Sequence, residues 1–145
     1  MSNMRVVILG SGSGTNAEAI LSAASASQLA PAQIVAVYSD VQHAGILEKA
    51  AHYEVKNSHL SAPSQRASLH GESEKLWIET IKEDAPDLIV LAGFMRILKG
   101  PFLQAFSGKI INLHPSLLPS FPGLDAIRQA FVRGVKITGC TIHWV

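Results

Sequence analysis

Apolar residues follow two rhythms along this chain. Short aliphatic runs recur at Arg5–Leu9, Ile34–Tyr38, Leu88–Leu91 and Lys109–Leu113. Each is four or five residues long and ends at a glycine, a Ser-Asp pair or a His-Pro pair. Runs of this kind read as strands buried on both faces. Between them the spacing turns helical. Asn16–Ala26 shows a face through Ala19, Ile20 and Ala23, and Pro31 marks the turn out of it. Ala44–His52 is also helix-like. Glu74–Glu83 places Leu76, Trp77, Ile78 and Ile81 on an amphipathic stripe. Pro101–Phe106 starts a helix with proline at its first turn. Leu124–Arg133 is a further helix, closed by Gly134. The late segment Ile137–Val145, "ITGCTIHWV", alternates and reads as a last strand. Val55–Ser73 is polar and irregular, the only long loop candidate.

Strands alternating with helices imply right-handed βαβ units. The fold class is therefore α/β: a Rossmann-like, mostly parallel twisted sheet flanked by helices, in a single domain over residues 1–145. In such sheets ligands sit beyond the carboxyl ends of the strands, near the point where strand order reverses. Three motifs fall at such ends: "GSGSGTN", "AGFMRIL" and "NLHPSLLP".

Composition narrows the function classes. With 145 residues the chain can bury roughly 70% of its unfolded surface. It is 48% hydrophobic and 16% charged, with a net charge of +1 and no basic block. Charge thus gives no indication of a nucleic-acid partner. No apolar stretch approaches the ~20 residues of a membrane helix, and the N-terminal run is too short for a signal peptide. Cys140 is the single cysteine, so no internal disulfide forms and a reducing compartment is expected. The expected location is cytoplasmic. His43, His52, His59, His70, His114 and His143 show no metal-ligand spacing, and no metal is expected.

Gly10, Gly12 and Gly14 lie between a strand and a helix. Glycines allow close approach, and free amides at a helix start favour an anion. Thr15 or Asn16 is placed to cap that helix. Gly12 to Ala17 also fits G-x-G-x-x-A, with Asp40 ending the next strand. A dinucleotide therefore remains an alternative to a smaller phosphate. Asn112 and His114 are two apart on an extended segment, so their side chains share one side. An amide and an imidazole suit oxyanion stabilisation and proton transfer. Pro115, Pro119 and Pro122 stiffen the loop that follows.

"NLHPSLLP", with "LAGFMRIL" upstream and a strand–"SGSGTN"–helix start, resembles the phosphoribosylglycinamide formyltransferase family. The resemblance spans residues 5–145. It implies formyl transfer from 10-formyltetrahydrofolate, as co-substrate, to the amine of glycinamide ribonucleotide in purine biosynthesis. It implies that Gly14, Thr15 and Asn16 hold the substrate phosphate. It also implies that Met95, Arg96, Ile97 and Leu98 line the folate pocket, together with Asn112. Asn112 would contact the formyl oxygen, and His114 would be the catalytic acid/base. His70 or Arg66 would reach the folate from the long loop. The family often has histidine where Asp125 stands. Its remaining catalytic group is an aspartate a few residues beyond the His-x-Val of "IHWV", past Val145.

The chain stops inside an apparent strand, so it reads as lacking its C-terminal part. Two alternatives stay open: a catalytically incomplete fragment that only binds ligand, and a nucleotide-binding NAD(P) module built on Gly12, Gly14 and Asp40. The expected partners are small molecules, with no nucleic acid and no membrane, and a homodimer is left open. His143 reads as a structural strand residue, Cys140 as a core thiol, and Trp77 and Trp144 as packing residues.

Overall fold

The computed structural model describes residues 3–63 and 67–145. The chain runs β1 (Met4–Leu9), α1 (Thr15–Ser25), β2 (Ala32–Ser39), α2 (Gly45–His52), β3 (Asn57–His59), α3 (Gly71–Glu83), β4 (Leu88–Leu91), α4 (Gly100–Ala105), β5 (Ile110–His114), α5 (Ala126–Arg133) and β6 (Thr141–Trp144). Six strands form one sheet in the order β3-β2-β1-β4-β5-β6. The first five are parallel to their neighbours, and β6 runs antiparallel to β5. The α/β reading is therefore correct.

Alternation along the strands divides the core between two faces. From β1, Val7 and Leu9 pack with Trp77, Ile81 and Phe102 of α3 and α4. Val6 and Ile8 face the other way, with Ala17, Leu21 and Ile46 of α1 and α2. Trp77 is fully buried, and its indole N–H donates to the Ser61 carbonyl at 3.1 Å. Its packing role is as expected, and its polar atom is satisfied.

A buried polar cluster ties β2 to the end of α3. Tyr38 Oη donates to Asp84 Oδ2 at 2.5 Å, and Lys56 Nζ donates to Asp84 Oδ1 at 2.7 Å. Burial, then the bond to Asp84, pushes the Tyr38 hydroxyl up to about 12. The bonds to Asp84 and Tyr38 raise Lys56.

Three local expectations are corrected. The long loop contains β3, whose residues Asn, Ser and His carry no apolar signal. Backbone pairing to Val37, Tyr38 and Ser39 makes it a strand. The last strand begins at Thr141 rather than Ile137. There Thr141 Oγ1 donates to the Ser116 carbonyl at 2.7 Å and accepts from the Leu118 amide at 3.0 Å. Neither Thr15 nor Asn16 caps α1: the cap position is Gly14, in the left-handed region, with no side-chain cap bond.

Candidate active site

Strand order reverses between β1 and β4. The carboxyl ends of β1, β4 and β5 open there, and all three sequence motifs gather at that crevice.

The glycine loop is shaped by contact with α2. Gly14 has φ +75°, and a Cβ there would lie 2.6 Å from Ile46 Cα. A Cβ on Gly10 would lie 2.8 Å from the Ala92 carbonyl oxygen. Both glycines are therefore required by packing. Gly12, by contrast, faces open space. Thr15 and Asn16 are exposed at the start of α1. The first-turn amides have no acceptor one turn earlier, and no side chain caps them. Together with the helix dipole they suit a phosphate.

The segment 92–98 alternates in burial. Phe94 and Leu98 pack against the core, while Met95 and Ile97 are 66% and 56% exposed. An exposed apolar pair at a strand end suits a flat, partly apolar ligand such as a pterin. The segment is fastened on both sides. The Ile97 amide donates to the Ala67 carbonyl at 2.8 Å, and the Ser11 amide donates to the Gly93 carbonyl at 3.0 Å. Arg96 does not extend into solvent. Its Nε donates to Asp40 Oδ2 at 2.6 Å and its Nη1 to the Pro63 carbonyl at 2.8 Å. Asp40 Oδ1 accepts from Ser11 Oγ at 2.5 Å. The Asp40 side chain is only 3% exposed. The acid that a dinucleotide ribose would require is thus turned inward and engaged, which argues against the NAD(P) alternative.

Asn112 and His114 project from the same side of β5, as their spacing predicts. His114 Nε2 lies 2.9 Å from the Phe121 carbonyl. A carbonyl only accepts, so Nε2 carries the proton and Nδ1 is the nitrogen left for proton exchange. Asn112 Nδ2 donates to His143 Nε2 at 3.2 Å, and His143 Nδ1 lies 3.0 Å from the Trp144 carbonyl. One tautomer of His143 satisfies both contacts: Nδ1–H donates and Nε2 accepts. His143 therefore fixes the orientation of the Asn112 amide, whose second N–H remains available. The sequence carries no local signal for this contact, because it depends on the pairing of β5 with β6. The register Asn112↔His143 makes it visible. A cleft of about 520 Å³ joins Asn16, Leu113 and Pro115 to Ile127 and Phe131 of α5. It connects the start of α1 with the end of β5.

Other expected residues fall elsewhere. His70 precedes α3 with Nδ1 buried and without a hydrogen-bond partner. Arg66 lies outside the described residues. Asp125 is the left-handed residue before α5. Cys140 is exposed rather than a core thiol, because it precedes β6 on the outer edge of the sheet. Trp144 is 67% exposed rather than packed, for the same reason. Among the described residues, no helix is long and apolar enough to cross a membrane. Among the same residues, no three His, Cys, Asp or Glu side chains are grouped to hold a metal.

The chain is similar to several known proteins. The phosphoribosylglycinamide formyltransferase of Bacillus subtilis (strain 168) is 37% identical over 141 residues, which is 97% of this chain and 71% of that protein. The human trifunctional purine biosynthetic protein adenosine-3 is 39% identical over 142 residues, 97% of this chain and 14% of that one. The crystal structure of glycinamide ribonucleotide transformylase 1 from Symbiobacterium toebii superimposes with a TM-score of 0.89 at 41% identity, covering 99% of this chain and 66% of that one. Residues 4–145 match the formyl transferase family, and the chain belongs to it.

Proposed function

We propose that this chain carries the site that moves a formyl group from 10-formyltetrahydrofolate to the amine of glycinamide ribonucleotide. The observation that carries the reading is the placement of Asn112 and His114 at the carboxyl end of β5, where the intervening Leu113 lines a cleft that runs to Asn16 at the start of α1. The substrate phosphate rests on the backbone amides of Gly14, Thr15 and Asn16, and the exposed Asn16 side chain donates to it as well. The folate lies along Met95–Leu98, with Met95 and Ile97 against its apolar face and Asn112 at the reacting end.

The amine lone pair forms the new C–N bond, and the formyl π electrons move onto oxygen. The free N–H of Asn112 and an imidazolium at His114 donate to that oxyanion. The amine proton passes to N10 of the folate through water, or by exchange in which His114 Nδ1 gives its proton to N10 and takes the amine's. The N10–C bond then breaks with its electron pair on N10, and the oxyanion's electrons re-form the C=O bond. The Phe121 carbonyl holds the imidazole and the His143 ring holds the amide, so neither has to reorganise during the reaction.

The test combines binding and chemistry. Titration with glycinamide ribonucleotide and with 5-formyltetrahydrofolate should show saturable binding of each. Asn16→Ala should weaken the first and leave the second near the parent value. Absence of binding by either ligand would overturn the reading.

A further inference from the structure

The inference concerns Asp40 and rests on the reading of Met95–Leu98 as the folate-binding segment. We propose that Asp40 is a positioning residue that locks the glycine loop to that segment, so that the phosphate and folate subsites are held at a fixed separation.

The carboxylate stands at the end of β2 and contacts neither proposed ligand. Its two oxygens are divided between the subsites. Oδ1 accepts from Ser11 Oγ at 2.5 Å, and Ser11 belongs to the glycine loop. Oδ2 accepts from Arg96 Nε at 2.6 Å, and Arg96 belongs to the folate segment. Ser11 Oγ also accepts from the Met95 amide at 2.9 Å, which closes a ring through Ser11, Asp40, Arg96 and Met95. A hydroxyl that donates to a carboxylate is a better acceptor on its other side, so the bonds reinforce one another. Arg96 extends the lock to the long loop through the Pro63 carbonyl. The pair is largely buried, with side-chain exposures of 15% for Arg96 and 3% for Asp40. Arg96 thus holds the segment from within, and the exposed Met95 and Ile97 are what it presents to a ligand.

Asp40→Asn preserves shape but sets an amide N–H or a weaker carbonyl against Arg96. Ser11→Ala removes the hydroxyl and with it both the bond to Asp40 Oδ1 and the bond from the Met95 amide, leaving the Asp40–Arg96 pair in place. Ser11→Thr retains the hydroxyl. The parent and these three variants are compared by titration with 5-formyltetrahydrofolate and by amide hydrogen exchange. Asp40→Asn and Ser11→Ala should weaken folate binding by about tenfold or more, the loss expected when a charge-assisted hydrogen bond is removed. They should speed exchange at Met95 and Ile97, while Ile89 in β4 exchanges as in the parent. Ser11→Thr should stay near the parent in both measurements. Unchanged affinity and unchanged Met95 exchange in Asp40→Asn, with the parent binding folate, would overturn the lock and leave the functional reading intact. If Asp40→Asn does not fold, Ser11→Ala against Ser11→Thr decides on the same criteria. A parent that binds no folate would overturn the functional reading, and the role of Asp40 toward folate with it.

Discussion

Trp77 and Trp144 are chemically identical side chains in opposite situations. Trp77, on α3, has no exposed surface and a satisfied indole N–H. Trp144, on β6, is 67% exposed. The contrast extends to their neighbourhoods. Strands β1 and β2 are covered on both faces, and Val7, Ile8 and Leu9 are fully buried. Around β6 and α5 the large apolar residues face outward, with Phe131 at 85% exposure and Ile127 and Ile142 also exposed. The proposed phosphate and folate subsites are anchored on the covered half. Asn112 and His114 stand where it gives way to the open half. The proposed reactive pair at that border is flanked by β4 and oriented from the side by Phe121 and His143.

The comparison can be broken most forcefully at Trp77. Trp77→Ala should cost about 3–5 kcal/mol, read from the denaturant midpoint. A loss below about 1 kcal/mol would mean that the covered half is not a packed core. Gly14→Val comes next. It places a β-branched residue at φ +75° and drives a Cβ into Ile46 Cα, so about 2–5 kcal/mol should be lost. Loss of phosphate binding in that variant would therefore report folding. Asn16→Ala is the cleaner probe.

The Tyr38 cluster gives a smaller effect with a defined sign. The folded Tyr38 hydroxyl is held up to about 12, above its ordinary value near 10, so the native state keeps a proton that the unfolded chain loses. Stability is complete below about pH 10 and falls as pH rises toward 12, by up to about 1.4 kcal/mol per pH unit. Tyr38→Phe should flatten that slope in alkaline denaturation. Trp144→Ala should be the smallest of the four, within about 0.5 kcal/mol. A loss matching that of Trp77→Ala would erase the distinction between the halves.

The covered half was legible in the sequence because its signals are local. Runs such as "VVIL" and "LIVL" declare buried strands, and Gly10 to Gly14 declare the turn that the packing against Ile46 and Ala92 requires. That Asn112 and His114 share one side of β5 was legible in their spacing of two. What was not legible depends on pairing between distant segments. β3 is a strand only because β2 offers it an edge. Asp40 has the sequence position of a ligand-binding acid, but Ser11 and Arg96, remote in sequence, occupy its carboxylate. His143 gained its contact with Asn112 only through the antiparallel register of β5 and β6. Cys140 and Trp144 carried apolar signals, and their exposure follows from a place at the sheet edge that composition does not encode.

The central claim is that Asn112 and His114 form the reacting pair of a formyl-transfer site. The most direct measurement is the rate of formyl transfer from 10-formyltetrahydrofolate to glycinamide ribonucleotide, parent against His114→Ala, with the affinity for each ligand determined alongside. The account predicts a kcat lower by roughly 10²–10⁴-fold, the range for removing an acid/base and oxyanion donor, with both affinities close to those of the parent. Near-normal turnover in His114→Ala would contradict it.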